Sequence, residues 1–285
     1  MLPARSLLGA LILPPLLLIF ALFIAPLAML LYVSFMTPSP TELFGHKATL
    51  DNYVSALSDE FVLLIIQRTL LSAAVILGAC LVLGYPVALV VARMRQRWRL
   101  VMLMVLLFPL MVTNVVRAYG WLAILGREGV INVSLSAMGL IPYPLRMLNT
   151  FEAVVLALLT ILLPYMIISI ANTLASIDPS FEEAAQSLGA GPVRTFLNVT
   201  LPLSSPGVAS GLMLVFFLTL SAYVTITLLG GPRYKLLVSL VYDAVSTLQW
   251  PQAAALSFIL LALALLVGAV IQAVLRPQRV QGRGV

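Results

Sequence analysis

Long runs without a charged side chain are the feature that most restricts how this sequence can fold. They cover residues 6–41, 69–92, 100–116, 153–177, 195–232 and 244–275. All but the third exceed the ~20 residues that a helix needs to cross a bilayer, and the third reaches that length if Arg117 lies near an interface. The sequence therefore predicts an all-α integral membrane protein with six transmembrane helices, at about 11–34, 69–92, 100–124, 153–175, 207–229 and 252–275.

Composition supports the membrane class. Of 285 residues, 62% are hydrophobic and 9% charged, and the mean hydropathy is +1.11, whereas soluble domains have about 25% charged residues. The segments are uniformly apolar, which favours helices over the alternating strands of a membrane barrel. The first apolar run is longer than the ~7–15-residue core of a signal peptide, so we expect a retained first helix.

The distribution of arginine predicts the orientation. Four arginines, at 93, 95, 97 and 99, lie in the short 92–99 loop, and such loops stay cytoplasmic. Both termini and the loop between the fourth and fifth spans are then cytoplasmic as well. Nine basic and three acidic residues fall inside and seven of each outside, so the net charge of +6 lies where anionic lipid headgroups attract it. Membrane lipid explains the basic pI, and no nucleic-acid partner is expected.

The sequence contains few residues from which a catalytic or metal site is built. Cys80 and His46 are its only cysteine and histidine, which excludes a disulfide framework and a cysteine metal cluster, and no metal-ligand types flank His46. There is no GxxxxGK[ST] phosphate-binding loop. We therefore expect no catalytic residue, no metal and no cofactor, and any ATP has to be bound by another chain.

A polar segment, "EEAAQSLGAGPVRTFLNVTLP" at 182–202, separates the fourth and fifth apolar runs. Its start fits a capping box with Ser180 as N-cap and Glu183 reaching back, or alternatively a start at Asp178 and Pro179. Gly189 suits a left-handed C-cap, and a proline at 192 suits the start of a second helix that leads into the fifth span. Apolar side chains recur at helical spacing on one face: Phe181, Ala184, Ala185 and Leu188.

Such a two-turn helix is unstable alone in water, because nucleation is costly and few hydrogen bonds follow it. We therefore expect it to dock on a partner. Ala184 and Ala185 permit close approach to a groove, and Glu182, Glu183 and Gln186 are placed to bond to the rim of that groove.

The spacing of these residues matches a known signature. Glu183-Ala184-Ala185, three residues, Gly189, nine residues and then Val199-Thr200-Leu201-Pro202 resembles the EAA motif of binding-protein-dependent ABC importer permeases, with Val199 in place of the usual isoleucine. Four further segments are similar to the spermidine/putrescine-type permeases of this family: "LDNY" from Leu50, "CLVLGYPVA" from Cys80, "TNVVRAYGW" from Thr113 and "WPQAAA" from Trp250.

The resemblance implies a type I importer permease fold with a cytoplasmic coupling helix, in a bacterial inner membrane. It further implies a second permease subunit in a heterodimer, two cytoplasmic ATP-binding subunits and a periplasmic or extracellular solute-binding protein. The transported solute would be a polyamine or a related amino compound. Closure of the ATPase would be transmitted through Glu182, Glu183, Ala184, Ala185, Gly189, Leu201 and Pro202.

The same resemblance implies a division of the chain. Residues 1–64 would form the first helix and a periplasmic loop, and 65–275 the permease core, with the coupling region at 178–202. Residues 276–285 would form a basic cytoplasmic tail.

Residues that line a translocation pathway are harder to place. Thr219, Tyr223 and Thr227 recur every four residues on the predicted fifth helix, and such a stripe either bonds to another helix or lines a cavity. Thr113 and Asn114 are weaker candidates. Arg117 either reaches the outer interface or contacts substrate. A close helix contact is predicted at Gly207 and Gly211.

One feature departs from the polyamine-type pattern. Such relatives often carry a carboxylate just before the Gly-Gly that ends the fifth span, where this chain has Thr227. Related permeases also carry opines, amino-acid-like compounds, aminoethylphosphonate, ferric iron or thiamine.

Two other classes of membrane protein would have different sequence features. An ion-coupled secondary transporter is expected to have ionisable groups or broken helices at the membrane midplane, and a membrane enzyme needs a catalytic constellation. The spans contain no acidic residue well inside, and no convincing internal repeat is present. The importer is therefore favoured.

Overall fold

The computed structural model describes residues 4–39 and 42–275, and the predicted tail at 276–285 lies outside them. Within these residues the secondary structure is helical apart from one bridge between Met36 and Ala48. The helices are α1 Ala4–Ser34, α2 Asp51–Ser58, α3 Glu60–Arg93, α4 Gln96–Leu107, α5 Asn114–Leu125, α6 Val130–Ala137, α7 Phe151–Ser176, α8 Ser180–Ser187, α9 Pro192–Thr195, α10 Leu201–Leu203, α11 Ser205–Leu220, α12 Tyr223–Gly230, α13 Leu237–Ser246 and α14 Trp250–Val274.

Four of the described helices are long and apolar enough to cross a membrane, and they correspond to the first, second, fourth and sixth predicted spans. Two bent pairs meet the same criterion together, namely Gln96–Met111 with Asn114–Ala137 and Pro192–Leu203 with Ser205–Leu220. Counting each bent pair as one span gives six, as predicted.

The third predicted span, 100–124, is wrong as one continuous helix. Its two halves meet at 86°. A 3₁₀ turn at Phe108–Met111 and an extended Val112 separate them. Pro109 lies in this turn and has no amide hydrogen to continue the α-helical ladder.

The fifth predicted span, 207–229, is also wrong as one helix. α11 ends at Leu220 and α12 begins at Tyr223, because Ala222 between them has φ −78° and ψ 48°, outside the helical region. At its other end, α11 is bent by 61° from the Pro192–Leu203 segment.

The described residues divide into two compact units, one within Met1–Leu63 and Leu240–Leu260 and the other within Leu64–Ser239 and Leu261–Val285. In the smaller unit, "LDNY" forms the start of α2 and is held to the end of α1. The buried Asn52 amide donates to the carbonyl oxygens of Ser34 and Met36, at 2.9 and 2.8 Å. The Tyr53 hydroxyl donates to the Ser34 hydroxyl at 2.7 Å. These bonds fix the turn that follows the first helix.

The core of the larger unit is the packing of α11 on α7. Gly207 lies against Thr173 and Ser169, and Gly211 against Met166 and Ser169. An added Cβ at Gly207 would lie 2.5 Å from Thr173 Oγ1, and one at Gly211 would lie 2.7 Å from Met166 Sδ. The predicted close helix contact at the two glycines is confirmed.

The loop after α12 is attached to α3 by two hydrogen bonds. The Thr69 hydroxyl oxygen accepts from the Leu237 amide at 2.9 Å, and the Ser72 and Tyr234 hydroxyls are 2.7 Å apart. Partial burial raises the pKa of the Tyr234 phenol, an effect that its bond to Ser72 and the nearby Arg68 charge oppose. The phenol is therefore neutral at physiological pH, and the hydrogen bond persists there.

Candidate functional site

The candidate site is the segment 178–204, which connects α7 to α11. Its first helix, α8, begins at Ser180, and the Asp178 carboxylate accepts a hydrogen bond from the Ser180 amide at 2.9 Å. The predicted capping box is wrong, because Ser180 is already helical and the Glu183 amide donates to the Pro179 carbonyl. The alternative start at Asp178 and Pro179 is confirmed.

Hydrogen bonding sets the charge of this cap. The bonds to Ser180 lower the pKa of Asp178 below its usual value. A carboxyl whose pKa is lower in the folded state stabilises that state above its unfolded pKa and loses this contribution as the pH falls through the folded pKa. Asp178 is therefore ionised at neutral pH and places a negative charge at the helix N-terminus, where the helix dipole favours it.

The end of α8 is a tight left-handed turn. Gly189 has φ +86°, as predicted for a C-cap glycine. Its amide donates to the Gln186 carbonyl at 2.9 Å, and the Ala190 amide donates to the Ala185 carbonyl at 3.0 Å. This pair of bonds is the Schellman motif, which satisfies carbonyls at the helix end. The direction of the chain after α8 is thereby fixed.

The second predicted helix is shorter than expected. α9 starts at Pro192 but gives way after Thr195 to a π-helical turn at Phe196–Thr200. Leu201 and Pro202, the last residues of the motif, lie in α10 and are exposed. π-Helical turns are rare and often occur at functional sites.

The outer face of this segment is apolar and uncovered. Phe181 is 56% exposed and Leu188 89% exposed, and Ala184 is exposed beside them. Ala185 is half-buried. The predicted apolar face of α8 is therefore present for Phe181, Ala184 and Leu188, and it faces away from the rest of the larger unit.

The two adjacent glutamates have different environments. Glu183 is exposed. Glu182 instead turns toward its own chain, where Nη2 of Arg93 contacts its two carboxylate oxygens at 3.0 and 2.9 Å. The Thr200 hydroxyl donates to Oε1 of Glu182 at 2.6 Å. The expectation that Glu182 faces a partner's rim is wrong in this structure.

Arg93 and Thr200 were not predicted as site residues. In the sequence, Arg93 contributes only to the positive charge of the 92–99 loop, and Thr200 lies inside the motif without a role of its own. Their contacts with Glu182 bridge 89 and 18 residues of sequence. A hydrophobic pattern carries no signal for such pairing.

The polar residues proposed to line a pathway do not form one stripe. Thr219 is buried and its hydroxyl donates to the Val215 carbonyl at 2.8 Å within α11. Tyr223 and Thr227 follow the helix break in α12, half-buried and exposed respectively. The predicted continuous stripe is therefore wrong, because one helix does not carry all three.

At the other helix break, the polar residues cluster. Thr113 is the exposed N-cap of α5, with its hydroxyl oxygen 3.5 Å from the Val116 amide. The Asn114 side-chain oxygen accepts from Nη2 of Arg117 at 2.6 Å. Nε and Nη1 of Arg117 are buried without a hydrogen-bond partner among the described residues. Arg117 is thus half-buried against its own chain.

Comparison with known proteins identifies the family. Residues 81–279 match the binding-protein-dependent transport system inner membrane component family. The chain belongs to this family. It is 31% identical over 236 residues to the spermidine/putrescine transport system permease protein PotB of Escherichia coli (strain K12), covering 82% of this chain and 86% of that one. PotB of Haemophilus influenzae is 29% identical over 233 residues, with 81% of each chain covered.

Solved structures show the same fold. A bacterial ABC transporter involved in the import of the acidic polysaccharide alginate matches with a TM-score of 0.76 and 21% identity, over 96% of this chain and 97% of that one. The same type of transporter in complex with an alginate pentasaccharide-bound periplasmic protein matches with a TM-score of 0.77 and 20% identity, over 98% and 96%. The predicted type I permease fold is confirmed.

Family membership establishes the class of activity. The protein is a multi-pass inner-membrane permease subunit of a binding-protein-dependent ABC importer, in which a separate subunit hydrolyses ATP. The predictions of importer function and of a permease that is not itself an enzyme are confirmed. Nothing in these comparisons favours the secondary-transporter alternative.

Proposed function

We propose that this chain forms half of the translocation pathway for a polyamine or a related amino compound, paired with a different permease subunit and driven by two cytoplasmic ATP-binding subunits. Residues 65–275 would be the permease core, with 1–64 added before it and 276–285 as a cytoplasmic tail. Both termini and the 178–204 segment would be cytoplasmic, in agreement with the arginine distribution.

The observation that carries the coupling role is the exposed apolar face of α8. An eight-residue helix has too few hydrogen bonds to be stable by itself, and Phe181 and Leu188 are uncovered here. Apolar side chains at helical spacing with an acidic residue beside them form a helix-in-groove ligand. We therefore infer that Phe181, Ala184 and Leu188 enter a cleft of the ATPase and that Glu183 contacts its rim.

This docking predicts a specific crosslink. With Cys80 replaced by alanine, Ala184→Cys and Gln186→Cys are expected to form a disulfide with a cysteine placed in the cleft of the cognate ATP-binding subunit. Met138→Cys is the matched control, because Met138 is exposed and lies in a loop predicted to be external. An impermeant thiol reagent applied to intact cells should label Met138→Cys and leave Ala184→Cys unlabelled.

Two results would overturn the proposal. One is efficient labelling of Ala184→Cys from outside, which would invert the predicted orientation. The other is failure of both α8 cysteines to capture the ATPase in membranes where the complex co-purifies intact.

Support for the substrate class comes from the spermidine/putrescine relatives, which align over more than four-fifths of this chain. A cationic solute in a pathway with few carboxylates relies on aromatic faces and carbonyl oxygens. Tyr223 at the start of α12, just after the helix break, is a candidate for such a contact.

Uptake by the reconstituted complex tests this assignment. ATP-dependent uptake of radiolabelled spermidine into vesicles containing the whole complex and its binding protein is expected, and unlabelled putrescine should compete for it. An amino-acid derivative, aminoethylphosphonate and thiamine serve as competitors of other chemistry. ATP-dependent uptake of one of these, without uptake of either polyamine, would contradict the polyamine assignment and leave the importer function standing.

A further inference from the structure

The contact between Glu182, Arg93 and Thr200 joins three parts of the larger unit. Arg93 is the last residue of α3, Glu182 lies in the first turn of α8, and Thr200 is the last residue of the π-helical turn. We name this set the Arg93 brace. Its ion pair, between Arg93 and Glu182, joins α3 to α8.

The brace is shielded on the glutamate side. The Glu182 side chain is 25% exposed and that of Arg93 64% exposed, while Thr200 is buried. An exposed ion pair contributes little by itself, but the short hydroxyl donation from Thr200 adds a charge-assisted bond to the same carboxylate. Removal of Arg93 leaves the partly desolvated carboxylate of Glu182 without its cationic partner.

A second link joins α3 to the same turn. The Tyr85 hydroxyl is 2.7 Å from the Ser204 hydroxyl, and the Tyr85 ring meets the Phe196 ring edge-on with centroids 5.6 Å apart. These contacts attach α3 to both ends of the 196–204 segment. None of the residues of α8 is buried. Among these contacts, the Arg93 brace is the one that links a side chain of α8 to α3.

We propose that Arg93 is a positioning residue for energy coupling. Its ion pair with Glu182, completed by Thr200, ties α8 to the end of α3 and to the turn before α11. A displacement of α8 by the ATPase is then passed to two membrane-spanning elements together. Without the brace, α8 loses its side-chain bonds to α3 and Thr200, and part of the displacement is not passed on. This inference rests on the proposed docking of α8.

The role of Glu182 follows from this arrangement. Glu183 faces outward and is available to the ATPase, whereas Glu182 holds the helix to its own subunit. The neighbouring arginines provide a comparison, since Arg99 donates to Asn172 of α7 and Arg95 is exposed. Arg95→Gln is therefore a matched control, because it removes one positive charge from the same loop as Arg93→Gln does.

The test uses vesicles that contain the whole complex. It measures the ratio of substrate molecules imported to ATP molecules hydrolysed, with spermidine as the substrate or the amino compound that the competition assay identifies. Arg93→Gln is expected to lower this ratio by roughly five- to tenfold, because a partly buried carboxylate loses its partner, while Arg95→Gln leaves it unchanged. Glu182→Gln should lower it similarly. The double variant should be no worse than either single one, since interacting residues are not additive.

Further variants separate positioning from folding. Arg93→Lys keeps a charge at the same place and should restore part of the ratio, and Thr200→Val should lower it with Arg93 intact. Capture of the ATPase by Ala184→Cys should persist in the Arg93→Gln background. If Ala184→Cys does not capture the ATPase even when Arg93 is present, the docking proposal itself is contradicted.

The inference is overturned if Arg93→Gln and Arg95→Gln give the same ratio, or if Arg93→Gln and Glu182→Gln are additive. It is also overturned if uptake and ATP hydrolysis fall in proportion, because a purely structural role leaves the ratio constant. The inference is overturned as well if the Arg93→Gln complex does not assemble while Thr200→Val keeps the wild-type ratio of import to ATP hydrolysis.

Discussion

Replacement of Gly189 by valine is expected to reduce ATP-driven uptake at least about tenfold while the protein still inserts in the membrane. At φ +86° a residue with a Cβ is strained, by about 1–2 kcal/mol and by more if it is β-branched. An added Cβ at this position meets no atom within 4 Å, so the cost is in the backbone. A shift to negative φ breaks the Ala190–Ala185 hydrogen bond and redirects the chain after α8.

The loss of uptake follows from the geometry of docking. α8 reaches its partner as a rigid element only while the turn at Gly189 keeps one direction. A change of about 1.4 kcal/mol already corresponds to a factor of ten in a population or rate. The measurement is uptake of spermidine, or of the identified substrate, normalised to the amount of permease in the membrane.

Gly191→Val is the matched control for this experiment. Gly191 has φ −69° and ψ 166°, and an added Cβ meets nothing within 4 Å. A residue before proline favours this extended conformation, so valine fits. Equal uptake by the two valine variants, or normal uptake by Gly189→Val, contradicts a rigid turn at Gly189.

The sequence predicts where the membrane spans lie, but it does not predict that the third and fifth spans are broken helices. Spans one, two, four and six follow from uncharged length alone, because a helix satisfies its own backbone in lipid. The break at Ala222 has no proline or glycine beside it, and length and hydropathy do not report local backbone angles. α3 begins at Glu60 and includes Arg68. A prediction based on charge-free runs places the start of this helix too late, because both residues are charged.

The site shows a similar division. Gly189 was predictable, since a glycine that ends an amphipathic turn has a local physical reason to be there. The different directions of Glu182 and Glu183 were not, because they depend on where the end of α3 lies. Arg93 is one of four arginines in seven residues, and the sequence does not distinguish which of them meets an acidic partner.

Replacement of Gly207 by valine is expected to prevent stable folding of the larger unit. The new Cβ would lie 2.5 and 2.7 Å from Oγ1 and Cβ of Thr173 and 3.1 Å from the carbonyl oxygen of Ser169. The carbonyl belongs to the backbone of α7 and cannot rotate away. Overpacking of a core costs about 1–3 kcal/mol and occasionally more, and valine adds two methyl groups beyond the clashing Cβ. We expect low membrane yield and a thermal midpoint in detergent lower by several degrees.

Gly78→Val provides the control, because Gly78 also lies in a membrane-spanning helix but is exposed and has no atom within 4 Å of an added Cβ. Valine is at least as good a helix former as glycine, so yield and thermal midpoint should stay at the wild-type level. A Gly207→Ala variant should fall between the two, since it introduces the Cβ clash alone. If Gly207→Val has the same thermal midpoint as the wild type, the α7 and α11 backbones are not in the close contact that the added Cβ distances indicate. The rigid connection from the coupling segment to the membrane core through α11 would then lose its basis.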